Sequence, residues 1–238
     1  MKQNLNILKR DGTLVPLDIQ KIHKVVNFAC DGLAGVSSSL IQMNAGIQFA
    51  EGMKSREIQD LLARSANDLI TLEQPNYQYA AARLLLYGVY KDVYGGFEKI
   101  TLKEMINKNI ERGVYDASIL ESYTDEEFTK LDSYIHHKRD ENFTYAGLRQ
   151  VVDKYLVQDR SSGELFETPQ FMYMMIATTL FANYPKEDRL HYVRRYYDST
   201  SLFKINIPTP VMAGVRTPVR QFASCVLVDS DDTLDSIF

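Results

Sequence analysis

Apolar residues recur with helical spacing over most of the chain, and one short hairpin precedes the first helix. Residues 5–10 and 13–17 are apolar-rich runs on either side of Asp11-Gly12, and an Asp-Gly pair in this position predicts a tight two-residue β-turn. Asp18 is suited to cap the helix that follows. The apolar positions of that helix are Ile22, Val26, Cys30 and Leu33. Their spacing predicts one buried face, with Cys30 as a small core residue.

Three more helices are predicted in the first part of the chain. One spans about residues 38 to 50, the next is capped by Ser55, and a long one opens at Pro75-Asn76 and ends at Gly95-Gly96. The double glycine is a candidate domain boundary, because a unit of about 95 residues can fold independently. Residues 1–95 are therefore predicted to form a β-hairpin lying on four helices.

Residues 96–220 also show mainly helical patterns. Two pairs of hydroxyl and carboxylate residues, Thr101 with Glu104 and Thr124 with Glu127, predict capping boxes. Further elements are predicted in this order: a helix from about Thr144, a hairpin at 155–167, a helix from Thr168-Pro169 and a helix over 186–201. A proline-marked segment then leads into a short apolar run that contains Cys225. The predicted fold class is mainly α.

Composition narrows the kinds of partner. The chain has 238 residues, with 27 basic and 31 acidic side chains and a net charge of −4, so we expect neither nonspecific nucleic-acid binding nor attraction to anionic membranes. No apolar run approaches the roughly 20 residues that cross a bilayer, and residues 1–12 lack the apolar segment of a secretory signal. A cytoplasmic location is expected. Neither the two cysteines nor the adjacent His136-His137, interpreted as surface residues, predict a metal site.

Four cations are candidates for holding phosphate. Lys9 and Arg10 lie at the predicted hairpin tip, and Lys21 falls in the first turn of a helix, where the helix dipole disfavours a cation unless an anion is bound nearby. Lys91 is the fourth. The alternative is that all four are solvated surface cations, and neither a GxxxxGK[ST] loop nor a GxGxxG motif supports phosphate binding.

At the level of longer segments the chain resembles a known family. Residues 9–24 (KRDGTLVPLDIQKIHK), 55–62 (SREIQDLL) and 76–91 (NYQYAAARLLLYGVYK) resemble the ATP-cone, the allosteric nucleotide-binding domain of ribonucleotide reductase large subunits. Six later segments are similar to the class I large subunit, in order: 121–132, 145–158, 166–173, 183–198, 208–227 and 231–237. Together these segments cover essentially the whole chain.

The resemblance implies roles for particular residues. Residues 1–95 would be the ATP-cone, 96–220 the helical N-terminal domain, and 221–238 would begin a ten-stranded α/β barrel with its first strand. The residues that would bind ATP or dATP with Mg²⁺ are Lys9, Arg10, Lys21, Ser55 and Lys91. Those that would contact a ribonucleoside diphosphate are Thr209, Ser224 and Cys225, and those that would bind a deoxynucleoside triphosphate effector in the specificity site are Asp232 and Leu234.

Cys225 would be the catalytic residue of this set. It would be one of two thiols that supply electrons when the ribose 2′-hydroxyl leaves as water, forming a disulfide that thioredoxin or glutaredoxin then reduces. Without the resemblance, the sequence favours a buried strand cysteine at Cys225, and the resemblance reverses that preference.

The same resemblance implies partners. A small subunit would supply a di-iron tyrosyl radical, and a complementary C-terminal large-subunit chain would supply the other barrel strands, since this chain would be inactive alone. Gln59, Gly88 and Val15 depart from the pattern of family members that dATP inhibits. A non-catalytic module that senses ATP and dATP is the alternative function.

Overall fold

The computed structural model describes residues 5–95 and 98–237, and its elements are mainly α-helices. Strands β1 (Asn6–Leu8) and β2 (Leu14–Pro16) pair antiparallel. Four helices follow: α1 (Ile19–Cys30), α2 (Ser38–Gly46), α3 (Ser55–Asn67) and α4 (Tyr77–Tyr94). The predicted mainly α fold, with a hairpin on four helices, is confirmed.

The hairpin turn differs from the predicted two-residue form. The amide of Gly12 donates to the carbonyl of Lys9 over 3.0 Å, so Arg10 and Asp11 are the central residues of the turn. Gly12 follows them at φ 82°, in the left-handed region, as in a type I turn closed by a glycine bulge. The turn therefore places Arg10 at its centre, where the side chain can reach other elements.

Local capping explains where the first helices begin and end. Asp18 accepts from the amide of Lys21 over 3.2 Å, as predicted for an N-cap. Ser55 does not cap α3, because Lys54 occupies the cap position and its amide donates to the Glu57 carboxylate over 2.8 Å. α2 ends at Gly46, earlier than predicted, and α4 ends at Tyr94, with Gly95 as its C-cap at φ 69°. Strand β1 is held beside the start of α3, since the Leu8 amide donates to the Met53 carbonyl over 3.0 Å.

The second part of the chain is also helical. Its helices are α5 (Leu102–Glu111), α6 (Ile119–Ser122), α7 (Asp125–Ser133), a 3₁₀ helix (His137–Asn142), α8 (Tyr145–Lys154), α9 (Pro169–Leu180), α10 (Lys186–Ser201), α11 (Thr209–Gly214) and α12 (Leu234–Ile237). Both predicted capping boxes are present, at Thr101 and Thr124. α9 is the centre of this core, because its first ten residues are all buried. The predicted hairpin at 155–167 is reduced to a single antiparallel bridge between Gln158 and Leu165.

Two predictions are corrected by tertiary packing. Residues 221–230 are exposed and belong to no strand, because a strand needs a neighbour to accept its backbone hydrogen bonds and the described residues offer none there. His137 is not a surface residue: its ring packs 5.2 Å from the Phe171 ring, and burial lowers its pKa to about 4. His136 is exposed, as predicted.

A buried polar cluster joins the first four helices to the second part of the chain. Asp140, which is 1% exposed, accepts from the Tyr90 hydroxyl over 2.9 Å and from the Gln170 amide over 2.8 Å. Burial raises the pKa of Asp140 to about 7. Tyr90 belongs to α4 and Gln170 to α9, so α4 and α9 share one carboxyl group. The domain boundary at Gly95-Gly96 stays a prediction, and Gly96 lies outside the described residues.

Candidate functional site

Three of the four predicted phosphate-binding cations converge at one end of the first four helices. Arg10, at the hairpin tip, places its Nη2 atom 2.9 Å from Oδ1 of Asp92 in the last turn of α4. Lys91 precedes Asp92 in α4. Arg10 and Lys21 both lie close enough to Lys91 to lower its pKa. Lys9 adjoins Arg10 and is exposed, while Ser55 begins the first turn of α3 beside strand β1.

The electrostatics of this cluster favour an anion. The pKa of Lys91 is lowered, first by burial and then by the positive charges of Arg10 and Lys21. The Lys91 ammonium lies 4.4 Å from the centroid of the Tyr87 ring, and Lys21 Nζ lies 3.6 Å from Oδ2 of Asp18. A bound phosphate would offset the repulsion among these cations and receive charge-assisted hydrogen bonds from them.

Two of the three positions that depart from the family pattern lie close to this end. The side-chain amide of Gln59 donates to the Leu84 carbonyl over 2.6 Å. A Cβ added to Gly88 would lie 3.4 Å from Cγ of Gln59. Both residues line a cavity of about 200 Å³ that also includes Arg56 and Asp92. Val15 lies on β2 and is half-buried.

The segment that leads to Cys225 is anchored by a buried ion pair. Arg216 and Glu167 have fully buried side chains, and Nε of Arg216 donates to Oε2 of Glu167 over 2.7 Å. Arg216 also donates to the Tyr155 carbonyl over 2.8 Å, and Glu167 accepts from the Val157 amide over 2.8 Å and from the Tyr115 hydroxyl. Sequence reasoning missed this pair, and its only local signal is an arginine among apolar residues at 211–219.

Thr209 lies near this anchor. It is the first residue of α11, it is exposed, and its Oγ1 lies 3.2 Å from the Tyr155 hydroxyl. Beside it, residues 154–158 and 210–221 contribute to the walls of an open cleft of about 530 Å³. A hydroxyl at the rim of such a cleft can bind a sugar or phosphate oxygen.

Cys225 is exposed. Its Sγ lies 3.6 Å from Oγ of Ser224, and described residues 221–237, including Asp232 and Leu234, are all exposed. The structure does not join Ser224 or Cys225 to Thr209 by a hydrogen bond among the described residues. Cys30 is half-buried and packs against the hydrophobic core, and burial raises its pKa to about 11.

Metal-ligand clusters and membrane-spanning helices are both absent from the described ranges. Within 5–95 and 98–237, no three histidine, cysteine or acidic side chains are grouped so that they could hold a metal ion. No helix in the same ranges is both long enough and apolar enough to cross a bilayer.

Comparison with known proteins identifies two domains in the chain. Residues 5–92 match the ATP cone domain family, and residues 141–220 match the family described as ribonucleotide reductase, all-alpha domain. Over 237 residues the chain is 48% identical to the ribonucleoside-diphosphate reductase 1 subunit alpha of Escherichia coli, covering all of this chain and 31% of that protein. The chain contains an ATP cone domain and a ribonucleotide reductase all-alpha domain, and its whole length is similar to part of a ribonucleoside-diphosphate reductase alpha subunit.

Two further alpha subunits show the same coverage. That of Haemophilus influenzae is 46% identical over 237 residues, which are 100% of this chain and 31% of the relative. That of Enterobacteria phage T4 is 41% identical over 235 residues, which are 99% of this chain and 31% of the relative. The chain thus spans about a third of the length of these alpha subunits. The five predicted effector-binding residues lie within the ATP-cone match, whereas Cys225 follows the all-alpha match.

Proposed function

We propose that this chain supplies the allosteric nucleotide site and one redox-active thiol of an enzyme that reduces ribonucleoside diphosphates to deoxyribonucleoside diphosphates. The observation that carries the proposal is the similarity to alpha subunits over the whole chain, which includes both the cation cluster and Cys225. The remaining active-site residues must come from outside these 238 residues, in a longer form of the chain or in a complementary chain.

The cation cluster would bind the triphosphate of ATP or dATP. Arg10, Lys21 and Lys91 supply charge, Lys9 lies beside them, and the Ser55 hydroxyl offers a further polar contact at the start of α3. Mg²⁺ accompanies such a nucleotide when bound and neutralises part of its charge. A phosphate bound beside Lys91 would favour the charged form of this lysine, and so act against the burial and the neighbouring cations that lower its pKa.

Cys225 would act in the reduction itself. Two thiols become one disulfide and release two electrons and two protons, while the ribose 2′-hydroxyl leaves as water and hydrogen takes its place. The second thiol would come from residues outside these 238, since Cys30 lies on α1 with a pKa raised by burial. Thioredoxin or glutaredoxin would reduce the disulfide, and a small subunit would supply the radical from its di-iron tyrosyl centre.

Thr209 and Ser224 would contact the diphosphate substrate in the completed site. Asp232 and Leu234 would contact the deoxynucleoside triphosphate that selects the base, in the specificity site. All four side chains are exposed, so they are available to ligand and to the rest of the barrel.

Nucleotide binding is the first test. We expect isothermal titration calorimetry to show dATP binding to this chain, and Lys21→Ala to weaken it by about tenfold, the size of one charge-assisted hydrogen bond. Lys130→Ala is the matched control, because Lys130 is also exposed but lies on α7. Absence of binding, or equal losses in both variants, would contradict the proposed site.

The alternative function, a regulatory module without catalysis, predicts a different result at Cys225. In the assembly reconstituted with the remaining alpha-subunit residues and a small subunit, Cys225→Ser should abolish dithiol-dependent reduction. Cys30→Ser should leave it intact. Full activity of the Cys225→Ser assembly would favour the regulatory module.

A further inference from the structure

Asp92 lies at the centre of a series of contacts that runs from the hairpin tip to the second part of the chain. Its Oδ1 atom is 2.9 Å from Arg10 Nη2, and its Oδ2 atom is 3.3 Å from Arg56 Nη2. The same nitrogen of Arg56 donates to the backbone carbonyl of Gly163 over 2.6 Å. Arg56 belongs to α3, whereas Gly163 closes the loop at 159–163. The series therefore crosses the predicted domain boundary.

The Asp92 carboxylate depends on both arginines. Its side chain is 10% exposed, and burial raises its pKa while Arg10 and Arg56 lower it. A carboxylate that is largely removed from water needs charged donors to replace its hydration. When one guanidinium withdraws, the attraction of the carboxylate for the other guanidinium increases.

Arg10 is the arginine that a nucleotide would engage. It lies in the cation cluster with Lys21 and Lys91, so a phosphate bound there competes with Asp92 for its guanidinium. The negative charge of the phosphate also repels the carboxylate. Both effects weaken the Arg10–Asp92 interaction and leave Asp92 more dependent on Arg56.

We propose that Asp92 couples nucleotide binding at Arg10 to the loop at 159–163 through Arg56. This inference rests on the nucleotide site of the proposed function. Loss of Arg10 draws Arg56 from its present 3.3 Å toward Oδ2 of Asp92, which weakens the hydrogen bond from Arg56 to Gly163. Asp92 is thus a positioning residue that links the two parts of the chain.

The first experiment needs no nucleotide. Arg10→Met removes the competing guanidinium from Asp92. Hydrogen exchange is then measured at two backbone amides of the loop: that of Asp159, which donates to the Glu164 carbonyl, and that of Gly163, which donates to the Asp159 carbonyl. We expect protection of these amides to fall by about two- to fivefold. Asp153→Asn is the matched control, because Asp153 lines the same cavity as Asp92 but pairs with Arg149. This variant should leave the protection of the loop amides unchanged. Unchanged protection in Arg10→Met would overturn the inference.

The second experiment adds saturating dATP. In the unmodified chain dATP should lower protection of the same amides, whereas Asp92→Asn should bind dATP and show no nucleotide-dependent change in the loop. A purely structural role of Asp92 would alter the loop equally with and without dATP. Failure of the unmodified chain to bind dATP would overturn both the nucleotide site and the coupling. Binding of dATP with an unchanged loop would overturn the coupling alone.

Discussion

Replacement of Arg216 by Met tests how the segment before Cys225 is held. The Arg216 and Glu167 side chains are both 0% exposed, and burial alone would lower the pKa of Arg216. The charge of Glu167 outweighs burial and raises that pKa. Arg216→Met removes the positive charge and, among the described residues, leaves Glu167 with two neutral donors, the Val157 amide and the Tyr115 hydroxyl.

The size of the effect follows from the buried charge that remains. Breaking a buried pair from one side costs about 3–5 kcal/mol, whereas replacing both partners by apolar residues is often neutral. Arg216→Met should therefore lower the free energy of unfolding by about 3–5 kcal/mol, a large part of a typical total. The double variant Arg216→Met/Glu167→Met should recover most of this loss. An exposed pair provides the comparison: Arg220 lies against Asp116 with 68% of its side chain exposed, and Arg220→Met should cost about 1 kcal/mol or less.

Urea unfolding followed by far-ultraviolet circular dichroism measures all three variants. With Glu167→Met measured as a fourth variant, the double-mutant cycle isolates the interaction between Arg216 and Glu167 from the packing of each side chain. If Arg216→Met costs no more than Arg220→Met, or if the double variant is less stable than Arg216→Met, the reasoning from buried charge is refuted.

Two further predictions concern titratable groups. The pKa of Asp140 is raised to about 7, so its contribution to the free energy of unfolding falls as pH rises from about 4 to 7. The pKa of His137 is lowered to about 4, so its contribution grows as pH rises from about 4 to 6.5. The unfolding free energy of Asp140→Asn minus that of the unmodified chain should therefore increase with pH over this range, and a difference independent of pH would contradict the assignment. Ellman's reagent at mildly alkaline pH should react quickly with the exposed Cys225, and with Cys30 only after unfolding, because burial raises the pKa of Cys30. A fast phase of thiol reaction that persists in Cys225→Ser would contradict this prediction.

The cation cluster shows how far sequence reasoning reached. The unfavourable position of Lys21 in a helix N-terminal turn, and the place of Arg10 at the hairpin tip, could both be recognised from local spacing. The role of Asp92 could not, because its two arginines come from β1–β2 and α3, far from it in sequence. An acidic residue next to Lys91 has no local signal that distinguishes a shared carboxylate from a solvated one.

Helix caps and buried polar groups mark the division between sequence and tertiary structure. The sequence by itself determined the caps at Asp18, Thr101 and Thr124, since capping depends on side chains within a few residues of the backbone groups they bind. It also carried the family resemblance. Only the tertiary structure decided that His137 packs against other side chains and that Asp140 is buried. It also decided that Arg216 pairs with Glu167, which lies 49 positions earlier in the sequence. Burial and charge pairing depend on which distant elements pack together, and no local pattern specifies that.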